Sequence, residues 1–179
     1  MGIFKNQFSE WTKFENLFQR QEIPAKTILL NEDEKSKKAF FIEKGCLRLC
    51  FNNNGKDITF QFFFENEFVS SIESFLGDQL SMFTIESIEP SIIHSITKKD
   101  FQFILENSEI IKTQVEEFTF QRLVLYQKLF LSRIKHNPER RYAELMKTNP
   151  EIILRVPQHY IASFLGITSV SLSRIRNRQ

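Results

Sequence analysis

The stretch QHYIASFLGITSVSLSRIRNRQ, from Gln158 to Gln179, gathers the residue types whose spacing could do chemistry. Thr168 is a strong N-cap type. A helix that follows it places Ser169, Val170, Ser173 and Arg174 on one side and Leu172 and Ile175 on the other. The free N–H groups at such a helix start, with the Thr168 hydroxyl, suit a backbone phosphate. The forked guanidinium of Arg174 matches O6 and N7 of guanine, and Val170 matches a thymine methyl. Arg176 and Arg178 prolong the positive end and suit phosphates, which add affinity without sequence information. Ahead of them Pro157 suits a first helical turn, Ile161, Phe164 and Leu165 give an inward face, Ala162 is small enough for a close helix crossing, and Gly166 ends the helix. This spacing predicts a helix-turn-helix whose second helix enters the major groove of double-stranded DNA.

Charge agrees with an anionic partner for this end. From Arg133 to Gln179 there are nine Lys/Arg and three Asp/Glu, a balance of +6 in a chain of formal net charge +2, so Met1 to Ser132 carries −4. Catalysis is not expected. His94, His136 and His159 lie far apart, and the chain has no phosphate-binding loop, nucleophile elbow or Cys/His pair at a useful spacing. The two cysteines, Cys46 and Cys50, read as small buried hydrophobes. No metal and no cofactor is expected. The start of the chain lacks an export signal and no run is apolar enough to span a bilayer, which predicts a cytoplasmic protein. The rival to a DNA binder is a non-enzymatic ligand-sensing or protein-interaction module whose terminal helices bind protein; a steep salt dependence separates the two.

The elements that must carry this end are legible in outline. Phe4, Phe8, Trp11, Phe14 and Phe18 recur at intervals of three and four, predicting an amphipathic N-terminal helix. A period of two then marks strands at 26–30, 39–42, 46–51, 57–64 and 91–97, with turn chemistry at Glu43-Lys44-Gly45 and Asn52-Asn53-Asn54-Gly55. Short strands so spaced predict a small antiparallel barrel or jelly roll, and most of the 20 Phe belong in its core. The helical period returns after Lys98-Lys99-Asp100. Ile111, Val115, Phe118, Leu125 and Leu129 form a stripe on a helix over 108–132, long enough to pair with its copy in a homodimer. A short helix over 139–147 follows, bounded by Asn137-Pro138 and Asn149-Pro150. The organisation predicted is a sensor domain over 1–107, a dimerisation helix over 108–132 and a DNA-binding domain over 133–179, α+β in class.

The segment Tyr160 to Thr168, followed by Ser171-Leu172-Ser173-Arg174-Ile175-Arg176, resembles the helix-turn-helix signature of the Crp/Fnr family, the cyclic-AMP receptor protein superfamily of bacterial transcription regulators, and is similar to its short Bacteroidetes-type members. The resemblance implies an N-terminal cyclic-nucleotide-binding-like β-roll, a long dimer helix and a winged-helix-like C-terminal domain. The wing that such a domain carries is not expected here, natively absent or trimmed, since the sequence stops at Gln179. Duplex DNA, a second copy and RNA polymerase are the partners implied. The turns at Gly45 and Gly55 and the stretch Glu65-Asn66-Glu67-Phe68 fall where the roll has its turns and its Gly-Glu ligand motif. Glu67, Ser70, Ser71 and Ser81 are the effector-pocket candidates. The Arg that neutralises a cyclic phosphate is expected near Ser81-Met82-Phe83, yet no Lys or Arg occurs between Lys56 and Lys98. Cyclic AMP is therefore not the expected effector, which is left as an unidentified small molecule. Two cysteines cannot hold the four-cysteine iron–sulfur cluster of the oxygen-sensing branch. A haem ligand would have to be His94, which reads as structural.

Overall fold

The computed structural model describes residues 6–178, and the side chains from Ser9 onward. Phe4 and the side chain of Phe8 lie outside the described residues. Residues Asn6–Leu17 form turns of 3-10 helix where the sequence predicted an α-helix. Strands β1 (Gln19–Ile23), β2 (Ile28–Leu30), β3 (Lys38–Lys44), β4 (Leu47–Asn53), β5 (Lys56–Phe63) and β6 (Phe68–Val69) precede a one-turn helix α1 (Ile72–Phe75). Then follow β7 (Thr84–Ser87), β8 (Ser91–Thr97), α2 (Lys98–Asn107), the 27-residue α3 (Glu109–Lys135), α4 (Pro138–Thr148), α5 (Pro150–Arg155), α6 (Gln158–Leu165) and α7 (Ser169–Arg176). The strands pair in two four-stranded sheets of order β1-β8-β3-β6 and β2-β7-β4-β5, and the strand partners are antiparallel. The class is α+β, an N-terminal β-roll followed by a long helix and C-terminal helices.

The chain divides into two compact units, one of residues 1–50 and 62–118, the other of residues 51–61 and 119–179. In the first, Trp11, Phe18, Ala39, Phe41, Phe75, Ile96, Phe101, Ile104 and Ile111 form one buried cluster. Fully burying a side chain of this size stabilises by about 1.5–3 kcal/mol. The Trp11 indole N–H, which an apolar core would leave unpaired, donates to Gln114 Oε1 at 2.9 Å. Turns close the roll. Gly45 has φ +107° and its N–H donates to Glu65 Oε1 at 2.8 Å; a Cβ there would stand 2.2 Å from Ser91 Oγ. On β8, His94 is buried, and its Nε2 lies 2.6 Å from Glu43 Oε2. The Glu43 carboxyl is held below its ordinary value of 4.5 first by that hydrogen bond, which outweighs burial, and then by the charges of His94 and Arg20.

In the second unit, Tyr142, Leu145, Ile152, Val156, Tyr160, Ile161, Ala162, Leu165, Leu172 and Ile175 are buried. The tip of the β4–β5 hairpin belongs to it. Ser163 Oγ on α6 accepts the Thr59 N–H at 2.7 Å and donates to the Asp57 carbonyl at 3.0 Å, so one hydroxyl satisfies a donor and an acceptor on the edge of β5. Phe60 packs on Tyr126 of α3 with ring centroids 5.2 Å apart. Pro138 and Pro150 stand in the first turns of α4 and α5, and the Asn137 side chain caps α4 by accepting from Arg140 N–H at 2.9 Å.

Two outcomes follow. Gly45→Ala meets both a positive φ and the Ser91 side chain, and should cost at least about 1–3 kcal/mol. Gly55→Ala, with φ +83° and open space around it, should cost less, in urea unfolding of the two variants beside the wild type. A carboxylate depressed on folding contributes stability above its ordinary range and loses it as pH falls through the depressed value. Glu43→Gln should therefore melt below the wild type at neutral pH, with the gap closing as pH drops below 4.5.

Candidate nucleic-acid interface and sensor pocket

Local sequence accounts for the shape of the terminal helix pair. Pro157 sits at the N-cap of α6, one position before the first turn. The helix buries Tyr160, Ile161, Ala162 and Leu165, and leaves Phe164 half-buried. Gly166, at φ +67°, adopts the left-handed conformation that ends it, and the N–H of Ile167 returns to the Ala162 carbonyl at 3.0 Å. Arg133 of α3 donates to the Phe164 carbonyl at 2.7 Å, placing a cation at the negative end of α6. Thr168 then caps α7, its Oγ1 accepting the Ser171 N–H at 3.1 Å.

Helix α7 is anchored by buried Leu172 and Ile175. Thr168, Ser169, Val170, Ser173, Arg174, Arg176 and Arg178 are exposed, Val170 to 61%. From Pro157 to Arg178 no carboxylate occurs. The Arg178 guanidinium lies 3.1 Å from Glu139, an exposed pair of the kind that exchanges readily for another anion. Arg140 and Arg155 pair with Glu144 and Glu151. Arg141 differs. Its Nε is buried and has no partner among the described residues, and burial, with the charge of Arg133 adding, pushes its guanidinium below the ordinary value. Glu144 also receives Ser132 Oγ and His136 Nδ1, each at 3.1 Å, tying the end of α3 to α4.

The stripe expected on the long helix is only partly open. Ile111 is fully buried and Val115 packs on the same cluster, so its N-terminal end is covered by its own chain. Phe118 and Leu125 are exposed to 39% and 38%, and Leu129 is half-buried. A second stripe, outside the one expected from the sequence, is more open: Phe120, Leu123, Phe130 and Ile134 stand 54–66% exposed, with Gln127 between them and Leu131 beside them. The steps of three, four, three and four residues are those of a coiled-coil seam, and they were available in the sequence beside the first stripe.

In the roll the pocket candidates separate. Glu67 Oε2 accepts the Phe64 N–H at 2.8 Å and so closes the β5–β6 turn, where Asn66 has φ +66°. Ser70 is half-buried at the end of β6. Ser71 and Ser81 come together with their hydroxyls 2.7 Å apart, and the carboxylate that joins them is Glu73, not Glu67. The stretch Glu65 to Phe68 is thus a turn, with Glu65 engaged by Gly45. Cys46 and Cys50 are buried and unbridged. Among the described residues no group of three His, Cys, Asp or Glu could hold a metal, and no helix is long and apolar enough to cross a membrane.

Residues 20–108 match the family model of the cyclic nucleotide-binding domain. No match was found among curated proteins. Among solved structures the chain is similar to CLP of Xanthomonas campestris, described as a c-di-GMP responsive global regulator linking cell-cell signaling to virulence gene expression. The identity is 13%, over 93% of this chain and 88% of that one, with a TM-score of 0.76. FixK2 of Bradyrhizobium japonicum is 13% identical over 90% and 83% of the two chains, with a TM-score of 0.77. The Catabolite Activator Protein of Thermus thermophilus is 15% identical over 98% and 85%, with a TM-score of 0.61. At such identities the likeness is one of fold. Residues 20–108 are therefore a domain of the cyclic nucleotide-binding family, in a chain that shares the fold of Crp/Fnr regulators along most of its length.

Proposed function

We propose that the protein is a homodimeric, sequence-specific DNA-binding transcription regulator of the Crp/Fnr type, cytoplasmic, whose β-roll does not take cyclic AMP. The observation that carries the reading is the exposed face of α7. A helix anchored by Leu172 and Ile175, and capped by Thr168, presents Ser169, Val170, Ser173 and Arg174 to solvent on a stretch of chain, Pro157 to Arg178, that carries no Asp or Glu of its own. Helix α6, the Gly166 turn and α7 serve as a helix-turn-helix, with α7 entering the major groove. Arg174 reads a guanine, Val170 meets a thymine methyl, and Ser169 and Ser173 reach base edges. Thr168, Arg176 and Arg178 contact phosphates, and the poorly neutralised Arg133 and Arg141 add to the positive potential on that unit. The reaction supported is binding alone, with no catalytic step.

The open seam on α3 supplies the dimer. Phe120, Leu123, Phe130 and Ile134 would be buried against their copies, with Gln127 fixing the register as a single polar seam residue does. Two recognition helices related by a twofold axis then meet successive major grooves, about 34 Å apart. RNA polymerase is a further partner of such a regulator.

Fluorescence anisotropy on an operator selected from genomic fragments tests the DNA reading. Arg174→Ala should lose about 1–3 kcal/mol on that operator and relax the base preference at one position. Arg178→Ala should weaken specific and random duplexes alike and flatten the slope of log affinity against log salt by roughly one. Binding that ignores salt would instead favour a protein partner for these helices. For the dimer, Phe130→Glu should sediment as a monomer and lose most operator affinity while Phe118→Glu, outside the seam, remains dimeric.

A further inference from the structure

The serine cassette after β6 contains an anion of its own. Glu73 Oε1 accepts the Ser71 hydroxyl at 2.6 Å and the Met82 N–H at 3.0 Å. Ser71 and Ser81 are each 1% exposed, and the Ser81 hydroxyl stands 2.7 Å from Ser71 Oγ and 2.6 Å from the Phe83 carbonyl. The geometry is fixed from outside as well. Asp33 N–H donates to the Ser81 carbonyl at 2.8 Å, and Ser81 N–H to the Glu34 carbonyl at 2.9 Å. The Ser74 hydroxyl oxygen accepts the Ser36 N–H at 2.7 Å. The loop that offers the Met82 N–H is thus held by backbone bonds in the position where Glu73 meets it.

A cyclic nucleotide brings an anionic phosphodiester, which needs free N–H and O–H donors or a cation to replace water. Between Lys56 and Lys98 the chain has no Lys or Arg and seven Asp or Glu. The buried Arg48 of β4 faces Glu86 at 2.6 Å, and Lys98 faces Asp78 at 2.9 Å, so both of these cations have carboxylate partners. Two donors of the cassette, the Ser71 hydroxyl and the Met82 N–H, already hold a carboxylate, and a second anion at the same place would meet like charge.

We propose that Glu73 is a built-in anion that completes this cassette in place of a ligand's phosphate, so that the domain is closed to cyclic nucleotides. The proposal rests on reading the β-roll as one that does not take cyclic AMP, and supplies its cause. Its regulatory consequence is a chain whose conformation is set without a nucleotide. Removing the carboxylate leaves the Met82 N–H and the Ser71 hydroxyl without their acceptor, a loss that an added inorganic anion can make good.

Scanning calorimetry of the full chain, wild type beside Glu73→Ala and Glu73→Gln, in chloride and in inorganic phosphate at matched ionic strength, tests this. Titration calorimetry of wild type with cyclic AMP and cyclic GMP accompanies it. Phosphate stabilises most proteins weakly, so the readout is the gain of each variant over the wild type's own gain. The expected result is no saturable heat from either nucleotide, a lowered melting temperature for Glu73→Ala, and an excess gain in phosphate for that variant. Glu73→Gln keeps an acceptor for the Met82 N–H and should fall between the two; it serves as the test if the alanine variant does not fold. Saturable nucleotide binding by the wild type overturns the proposal, as does an absence of excess phosphate gain in both variants. Neither assay involves DNA, so failure of the regulator reading and failure of this one are told apart.

Discussion

Helix α3 carries more apolar surface than its own chain covers, and much else follows from that imbalance. A 27-residue helix with one apolar stripe could lie on its own roll and stop there. Here Ile111 and Val115 satisfy that demand within the first unit, while Phe120, Leu123, Phe130 and Ile134 face water further along. Exposed aromatic and aliphatic side chains in a regular seam are costly as they stand, and on the proposed reading a second copy, whose seam has the matching spacing, covers them. On the proposed reading the spacing of the two recognition helices, and with it the choice of operator, depends on how that seam is packed.

Capping chemistry made the terminal helices legible from sequence. Thr168 and Gly166 each have a physical reason to occupy a helix boundary, and both stand there. Strand 91–97 was read with its observed bounds, because turns and an apolar run define it. Strand β1, QRQEI, was missed because it carries little apolar alternation. It is an edge strand, paired on one side to β8, and its Arg20 and Glu22 engage one another in solvent. Strands β6 and β7, of two and four residues, are too short for a period to register. In β5 alternation named the two faces but not their surroundings: Thr59 and Gln61 are buried, whereas Phe60 is partly open. Side-chain type alone cannot show that neighbours will cover a polar face.

The effector-pocket candidates show a different limit. Ser71 and Ser81 were identified from the missing Arg and the small polar residues near its expected place, and they do meet. Glu67 stands where the resemblance places a ligand motif, but a carboxylate four residues past the end of a strand also closes turns, as this one does through the Phe64 N–H. Glu73 gave no signal in sequence. Its role arises from the fold of the 78–83 loop, which brings the Met82 N–H back to a residue nine positions earlier.

The position of Trp11 has a practical consequence. It is the single tryptophan of the chain, 1% exposed among Phe18, Phe68 and Phe101 and bonded to Gln114, all in the first unit. Its ultraviolet emission is therefore a native optical probe of the first unit alone. Unfolding confined to the C-terminal helices would leave that signal unchanged, whereas circular dichroism would register the loss of helix. Comparing the two signals along one denaturation curve separates the stabilities of the two halves without any label.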